Sequence, residues 1–451
     1  MLYRFLSALA SIAVRWYYRR IEVNGIERIP PTGAAIVAAN HWNALVDALL
    51  LGTALARPVR LTAKATLLEH PITRLLVRAV GVIPLRRMSD ERPRGDGMVV
   101  EGRNAESFAA ILDALAAGEV VLIFPEGKSH SDPELAPLKT GCARLALLAR
   151  SERGLPPVPI IPVGLTFERK GAPRTRVAIQ VGVPIRSDDL TAPSPQAVAT
   201  LTARLDEGLR RVTLNFPDHD AAGQVLEVSA LLNQLLDRVR PLHAPDAPLA
   251  DAMRIAKRLE AARQLLPAAP GETVAQADAF LTRLDAFRAR MRTARIPIND
   301  LWLSMSLVAG SWFAVREGAI ALVAAPLALW GRINHWIPIT LARWLGNASS
   351  KNPDEPAMHT LVAGLFLVVA FYLAVALFIG SHHGIWWALA YLFSLPPSAS
   401  LDFWLSDRLR RARRRARAFV TLRLDPQLRG ELRREASDLR AEARRLDAAL
   451  R

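Results

Sequence analysis

The sequence has only one cysteine, Cys142, among 451 residues. A single cysteine excludes a disulfide framework and a cysteine-based metal site within one chain, and it fits a reducing compartment. No histidine stands at motif spacing from Cys142, so we predict that it is a small core residue. No glycine–x–serine–x–glycine segment occurs in the chain either. That absence counts against a serine hydrolase, because many such enzymes carry their nucleophile on this turn.

Acidic residues are also in deficit. The chain has 58 Lys and Arg residues against 42 Asp and Glu residues, which gives a net charge of +16 at pH 7. Such an excess favours an anionic partner, which is a nucleic acid, a membrane surface or a phosphorylated substrate. Hydrophobic residues make up 51% of the chain, and many arginines stand beside apolar segments. We therefore predict a membrane lipid as partner and no nucleic acid.

Residues 1–20 form an apolar segment that Arg15 interrupts and that ends in Trp16-Tyr17-Tyr18 followed by two arginines. Aromatic residues beside arginines are typical of a helix at the membrane interface. The segment has no small-residue cleavage site of the kind that a signal peptide needs. We predict an uncleaved interfacial anchor helix, with an ordinary surface helix as the alternative.

Strand-like and helix-like patterns alternate between residues 21 and 190. This alternation predicts an α/β domain with a mixed, mainly parallel sheet flanked by helices. An apolar run over residues 34–39 leads into Asn40 and His41, and Asp47 follows in the first turn of a helix predicted over residues 44–55. Residues six apart lie on different helix faces, so His41 must precede the helix.

His41 and Asp47 carry side chains that are suited to proton transfer. An imidazole takes and returns a proton near neutral pH, and a neighbouring carboxylate fixes its tautomer. From these two residues alone, a hydrogen-bonded structural histidine remains the alternative.

Two arginines follow a further predicted strand. Residues 81–85 are apolar and precede Arg86 and Arg87. Planar guanidinium groups at a strand end are suited to binding a phosphate through several donors. A solvated charged loop is an equally good interpretation of this pair.

A glycine turn follows the predicted strand over residues 118–124. Its sequence is Pro125-Glu126-Gly127-Lys128-Ser129, and its last three residues are similar to the end of a P-loop. Leu122 occupies the place of the first P-loop glycine, which excludes a nucleoside triphosphate site of that type. The turn still offers backbone donors and a carboxylate to a substrate headgroup.

Strand patterns stop after residue 190. Residues 191–300 predict a helical accessory region without recognisable chemistry, and residues 301–400 predict a transmembrane region of about two spans. The clearest span covers residues 361–380, which contain no charge. A weaker apolar run over residues 318–330 extends with an interruption to residue 341.

The last apolar segment and the tail complete the predicted membrane region. Residues 385–395 are too few for a secure span, so a re-entrant or interfacial segment is predicted. Residues 401–451 predict a basic helical tail, which the positive-inside tendency places in the cytoplasm. An even number of spans keeps the α/β domain on the same side. A solvated charged helix or coiled coil and a lipid-headgroup contact both remain open for the tail.

Four stretches together resemble the glycerolipid acyltransferase family of the PlsC type. They stand in the family's order, each at the end of a predicted strand, and they are residues 40–47, 81–86, 124–127 and 158–163. The resemblance covers residues 21–187, and the family includes glycerol-3-phosphate and lysophosphatidic acid acyltransferases. It implies an acyltransferase that uses acyl-CoA or an acyl-carrier protein as co-substrate and needs no metal or other cofactor.

The resemblance also implies roles for individual residues. His41 is expected to be the general base, and Asp47 is expected to orient its imidazole and stabilise the imidazolium. Pro162 is expected to shape the acyl-donor site. The phosphate end of the acceptor is expected to contact cations and the glycine turn, namely Lys64, Arg86, Glu126, Gly127 and Lys128, with Arg87 as a further candidate.

Two departures from the common family pattern affect the expected acceptor. Five residues separate His41 from Asp47 where four are usual, and this longer form resembles the branch that acts on glycerol-3-phosphate or dihydroxyacetone phosphate. Lys128-Ser129 replaces the usual Thr-Arg pair. We expect a membrane-bound enzyme of phosphatidic acid synthesis with a glycerol-3-phosphate-type acceptor. Lysophosphatidic acid is the alternative acceptor, and a lipid hydrolase or a non-catalytic membrane scaffold are further alternatives.

Overall fold

The structure is a computed structural model that describes residues 2–55, 57–64, 81–85, 103–190, 193–234, 241–243, 247–350 and 356–449. Contacts divide the chain into two compact units. The first unit comprises Met1–Asn215 with Ala342–Leu365, and the second comprises Phe216–Leu341 with Phe366–Arg451.

Strands of the first unit form a single mixed sheet. Within the described residues there are seven, in the order β1-β7-β6-β2-β5-β3-β4, and every pair is parallel except β6–β7. The predicted mixed, mainly parallel α/β sheet is therefore confirmed. The strands are β1 Arg20–Asn24, β2 Ala35–Ala39, β3 Val59–Lys64, β4 Ile83–Leu85, β5 Val120–Ile123, β6 Ile160–Phe167 and β7 Arg176–Val181.

Helices cover both faces of this sheet. They are α1 Leu2–Tyr17, α2 Leu45–Ala54, α3 Arg103–Ala116, α4 Gly141–Arg153 and α5 Pro195–Val212. Along the central strand β2, Ile36 and Ala38 join one buried cluster, whereas Val37 and Ala39 join the other. A strand buried on both faces has a continuous apolar sequence, because its side chains alternate between two cores. This explains the uninterrupted apolar run before Asn40.

Helix α5 belongs to the sheet domain, so the domain boundary predicted at residue 190 lies one helix too early. Leu201, Leu205 and Leu209 are fully buried in the sheet's core cluster. A Cβ atom at Gly164 would stand 2.1 Å from the carbonyl oxygen of Val212, at the end of α5. The absence of a side chain at Gly164 therefore lets the helix approach the sheet this closely.

The end of α1 also packs within the first unit. Val14, Tyr17 and Tyr18 are buried in a cluster with Val46 and Val177. This packing accounts for part of the aromatic residues that predicted an interfacial anchor. Membrane contact of residues 1–20 remains a prediction.

Helices make up the second unit. They are α6 His219–Gln234, α7 Leu249–Leu265, α8 Gly271–Thr293, α9 Leu307–Ser349, α10 Pro356–His383, α11 Ile385–Leu424 and α12 Pro426–Ala449, of which α9 and α10 also contribute residues to the first unit. Leu284 and Phe287 of α8, Leu422 of α11 and Leu439 of α12 share one buried cluster. The helical region predicted from residue 191 therefore begins as a separate unit only after α5.

Two helices, α9 and α10, are long and apolar enough to cross a membrane. Their most apolar stretches are only 17% buried, so apolar side chains cover their outer surfaces. Exposed apolar surfaces of this extent indicate membrane association. The apolar runs predicted over residues 318–341 and 361–380 lie within these helices.

Helix α11 corrects two details of the predicted membrane region and tail. Residues 385–395 are not a separate short segment, because α11 continues through Pro396 and Pro397 to Leu424. The packing of Leu395, Ser398 and Ala399, all fully buried, supports the helix beyond the prolines. The charged helix predicted to run to Arg451 is interrupted at Asp425, which has φ −123° and ψ 83°. Helix α12 then starts at Pro426, and proline is well suited to the first turn of a helix.

Charged residues of α9 are paired with residues of α11 inside the second unit. Arg408 donates to Glu317 at 2.6 Å, and Arg332 donates to Asp402 at 2.7 Å. His335 Nε2 lies 3.1 Å from the other oxygen of Asp402. Pairing of this kind offsets the cost of placing charge on helices with largely apolar surroundings.

Candidate active site

Two predicted site residues, the proposed base His41 and the predicted binding residue Glu126, lie at the carboxyl ends of neighbouring parallel strands. His41 follows β2, and Glu126 follows β5, which pairs directly with β2. Carboxyl ends of parallel strands meet at the same edge of the sheet, and open α/β sheets bind their ligands there. The topology therefore gathers these side chains at the edge where a substrate site is expected.

His41 and Asp47 form a hydrogen-bonded pair. His41 Nδ1 lies 3.0 Å from Asp47 Oδ2, and the same oxygen accepts the Asn43 N–H at 2.7 Å. Asp47 is fully buried, whereas 13% of the His41 side chain is exposed. With Nδ1 bound to the carboxylate, the imidazole has Nε2 left to accept a proton from a substrate.

Two further contacts fix the imidazole and its loop. The ring stacks on Phe124, with 4.0 Å between centroids and 14° between planes. Ala44, just before α2, has φ 45° and ψ −131°, and its N–H donates to Ser129 Oγ at 3.0 Å. A left-handed φ at a residue with a side chain stores strain, which the surrounding contacts must hold in place.

Tyr18 supports this loop from the end of α1. Asn43 Nδ2 donates to the Tyr18 hydroxyl at 3.3 Å, and both side chains are buried. Burial, together with the nearby Tyr17 and Asp47, raises the pKa of the Tyr18 phenol well above its usual value. Asn43 is one of the five residues between His41 and Asp47, and it joins this loop to the end of α1.

Asn40 joins the loop to β6 through its side chain. Its amide donates to the Leu165 carbonyl at 3.1 Å and accepts the Leu165 N–H at 2.7 Å. Asn40 is fully buried. The side chain therefore continues the strand pairing one residue beyond the last β2–β6 backbone pair, Ala39 with Val163.

Replacing Asn40 by alanine is expected to lower the free energy of unfolding by about 2–4 kcal/mol, since it leaves two buried backbone groups of Leu165 unpaired. Denaturant unfolding of the purified chain measures the loss. Gln224→Ala, at an exposed position of α6, is the matched control. Equal stability of the two variants would contradict this account of Asn40.

Glu126 contacts the protein rather than facing open space. Only 2% of the residue is exposed. Its Oε1 accepts the backbone N–H of His41 at 2.7 Å, and its Oε2 accepts the Ala136 N–H at 2.8 Å and contacts His130 Nε2. Both carboxylate oxygens therefore hold the loop of His41, and acceptor binding by Glu126 remains a prediction.

The other predicted binding residues are distributed differently. Gly127 has a left-handed φ of 74°, and Lys128 beside it is exposed at the same turn. Pro162 pairs with Ala38 within the sheet, and its ring lies against Gly208 of α5. Lys64 ends β3, although its side chain is not among those described, and Arg86 and Arg87 lie outside the described residues.

His130 was missed by sequence reasoning. It is buried, four residues after Glu126 and on the same turn. The only sequence feature that could have indicated His130 is its position three residues after the family motif at residues 124–127. Across the described residues, no group of His, Cys, Asp and Glu side chains is arranged to hold a metal ion.

The part of the chain that contains these residues is similar to known acyltransferases. The family model described as "Acyltransferase" matches residues 20–166. Glycerol-3-phosphate O-acyltransferase 2 of Saccharomyces cerevisiae is 34% identical over 146 residues, which are 31% of this chain and 20% of that protein. The 1-acyl-sn-glycerol-3-phosphate acyltransferase alpha of Mus musculus is 28% identical over 206 residues, 44% of this chain and 65% of that protein.

A solved structure is also similar. The crystal structure of the 1-acyl-sn-glycerophosphate (LPA) acyltransferase PlsC from Thermotoga maritima aligns with 46% of this chain and 78% of its own, at 19% identity and a TM-score of 0.35. The chain spans less than two thirds of the length of the two curated relatives named above. His41, Asp47 and Glu126 all lie within residues 20–166, so this part of the chain matches an acyltransferase domain and is similar to glycerol-3-phosphate and 1-acyl-sn-glycerol-3-phosphate acyltransferases.

Proposed function

We propose that this protein transfers a fatty acyl group from a thioester to a hydroxyl group of a glycerol-3-phosphate-type acceptor in phosphatidic acid synthesis. The observation that carries the proposal is the pair of His41 and buried Asp47 at the carboxyl end of β2. The names of the relatives support both the reaction class and the type of acceptor.

In the proposed reaction, His41 is the general base. Its Nε2 removes the proton of the acceptor hydroxyl as the oxygen attacks the thioester carbonyl carbon. The tetrahedral intermediate then expels the thiolate, which takes the proton from the imidazolium and leaves as a thiol. Asp47, bound to Nδ1, keeps the imidazole in the correct tautomer and stabilises its positive charge. The acceptor hydroxyl replaces an enzyme nucleophile, so no covalent acyl-enzyme forms.

The phosphate of the acceptor is proposed to contact the turn after β5. The exposed Lys128, next to Gly127 in this turn, offers a cation close to the Glu126 position. Lys64 and Arg86 remain proposed further cations, on the resemblance to the family. Acyl-CoA and an acyl-carrier protein remain alternative donors, because both present the same thioester.

The first choice of acceptor rests on the spacing between His41 and Asp47. The loop with the extra residue also contains Asn43, which contacts Tyr18. In addition, a yeast relative is named for glycerol-3-phosphate. Lysophosphatidic acid is the second candidate, because the mouse relative is named for 1-acyl-sn-glycerol-3-phosphate.

Acyl transfer by the purified chain tests the proposal and separates the candidates. Labelled acyl-CoA, and in parallel a labelled acyl-carrier protein, is supplied with glycerol-3-phosphate, dihydroxyacetone phosphate or lysophosphatidic acid. Product from glycerol-3-phosphate or dihydroxyacetone phosphate supports the proposal, and product from lysophosphatidic acid alone moves the enzyme to the second acylation. Release of free fatty acid without acceptor would indicate a hydrolase, and no turnover would favour a scaffold.

The proposed location is the membrane, with several crossings and with the α/β domain in the cytoplasm. Ala357 and Leu361, at the start of α10, pack within the first unit against Val14 and Tyr18. We propose that α10 crosses away from this side, that the uncharged residues 385–401 of α11 cross back, and that α9 does not complete a crossing, since a helix of about 17 residues is just long enough to span a bilayer. The basic tail then returns to the cytoplasm.

Labelling of cysteines introduced one at a time, in intact spheroplasts, is expected to confirm this arrangement. His383→Cys, at the exposed end of α10, should react with a membrane-impermeant maleimide from outside, whereas Glu152→Cys and Asp438→Cys should react only after lysis. The native chain is the control, because burial raises the pKa of the Cys142 thiol to about 12 and keeps it unreactive. Labelling of Asp438→Cys from outside would contradict the proposed topology.

A further inference from the structure

The backbone of His41 is held on both sides by one loop. We call residues 126–131, directly after β5, the brace loop. Glu126 Oε1 accepts the N–H of His41 at 2.7 Å, and the N–H of His130 donates to the carbonyl of His41 at 3.1 Å. A third bond joins Ser129 Oγ to the N–H of Ala44 at 3.0 Å. The brace loop therefore binds the main chain of the proposed base and leaves its side chain to Asp47.

The imidazole of His130 holds Glu126 in this position. Its Nε2 contacts Glu126 Oε2, and its Nδ1 lies 3.3 Å from the carboxylate of Asp132. Glu126 and His130 are 2% and 7% exposed. A buried carboxylate needs partners on its oxygens, and those partners fix its orientation. By binding Oε2, His130 thereby directs the other oxygen of Glu126, Oε1, towards the N–H of His41.

Lys170 fastens the far end of the brace loop. Its Nζ donates to the His130 carbonyl at 3.0 Å and to Ser131 Oγ at 2.7 Å. Lys170 lies in the segment between β6 and β7. The brace loop is thus fixed at both ends, by the bond of Glu126 to His41 and by the bonds of Lys170 to His130 and Ser131.

We propose that His130 is a positioning residue for His41, acting through Glu126 and the brace loop. This inference rests on the proposed acyl transfer and adds a residue to it. His130 contacts the backbone of the base and the carboxylate that holds it, and the structure shows no contact with the His41 ring. Displacement of a catalytic group by about 1 Å is enough to slow a reaction about 10²-fold. Loss of the imidazole should therefore affect the chemical step more than acceptor binding.

The test compares steady-state kinetics of the full-length chain with variants at two positions. His130→Ala is expected to lower kcat about 10²-fold with the KM for acceptor unchanged. His130→Gln should retain most of the activity, because its amide N–H can still donate to Glu126. His219→Ala, at an exposed position of α6, is the control and should behave as wild type.

A double-mutant cycle shows whether His130 acts through Glu126. Glu126→Gln combined with His130→Ala should be no slower than the slower single variant, because both changes break the same contact. If His130→Ala does not fold, His130→Asn takes its place, since its amide is too short to reach Glu126. Thermal unfolding of each variant separates loss of folded protein from loss of rate.

Three results would overturn the inference while leaving the proposed function intact. These are an unchanged kcat in folded His130→Ala, a raised acceptor KM as its only effect, and independent, multiplying effects of Glu126→Gln and His130→Ala. A wild-type chain that acylates none of the acceptors would overturn the proposed function and this inference together.

Discussion

His41→Ala is expected to reduce the rate of acyl transfer by about 10²–10⁴-fold, the contribution of a well-placed general base. Among the described residues at the carboxyl end of β2, His41 is the base that is hydrogen-bonded to Asp47. Without its imidazole, no other group there takes its place to accept the hydroxyl proton. Membrane association should be unaffected, because the apolar surfaces of α9 and α10 lie elsewhere in the sequence. The measurement is transfer from a labelled acyl thioester by the purified variant.

The controls for this variant separate chemistry from folding. His41→Gln keeps an amide donor for Asp47 but cannot take a proton, so it should fold as wild type and be as slow as His41→Ala. His219→Ala should keep full activity. Turnover close to wild type in folded His41→Gln would end the proposal that His41 is the base.

Asp47→Asn is expected to slow the reaction about 10³-fold while changing the geometry little. In the native chain, Asp47 Oδ2 accepts both the Asn43 N–H and the His41 Nδ1 proton. An asparagine oxygen can accept the same two bonds, whereas its NH₂ group in that place would face the Asn43 donor. The tautomer is therefore kept, and the loss comes from the missing negative charge beside the imidazolium.

This variant also has a distinctive kinetic pattern. Stabilisation of the imidazolium matters only as the proton moves, so kcat should fall with little change in KM for either substrate. Thermal unfolding should show a fold close to that of the wild type. An Asp47→Asn variant with a normal kcat would mean that Asp47 only supports the loop structurally.

The strands and helices of the sheet domain were predictable because short local sequence patterns determine them. The apolar run before Asn40, the start of α2 and the strand ahead of Glu126 each follow from patterns of fewer than ten residues. Since parallel strands place their carboxyl ends together, the approach of His41, Asp47 and the glycine turn was also predictable.

The parts that were not predictable depend on contacts between distant segments. Glu126 carries the same carboxylate whether it binds an acceptor or the N–H of His41, which lies 85 residues away in the chain. Helix α5 has the charged, leucine-rich pattern of an accessory helix, and only its packing on the sheet joins it to the domain. The continuation of α11 through Pro396 and Pro397 likewise depends on its neighbours.

The brace loop holds His41 through the histidine's own N–H and carbonyl groups. The position of the base therefore does not depend on which side chain stands beside it in the sequence. Trp42, directly after the base, is half-buried, and its indole N–H makes no hydrogen bond within the described part of the chain. The bonds that position His41 run through its own main chain, so a change in the size or polarity of residue 42 leaves the hydrogen bonds that hold the histidine intact.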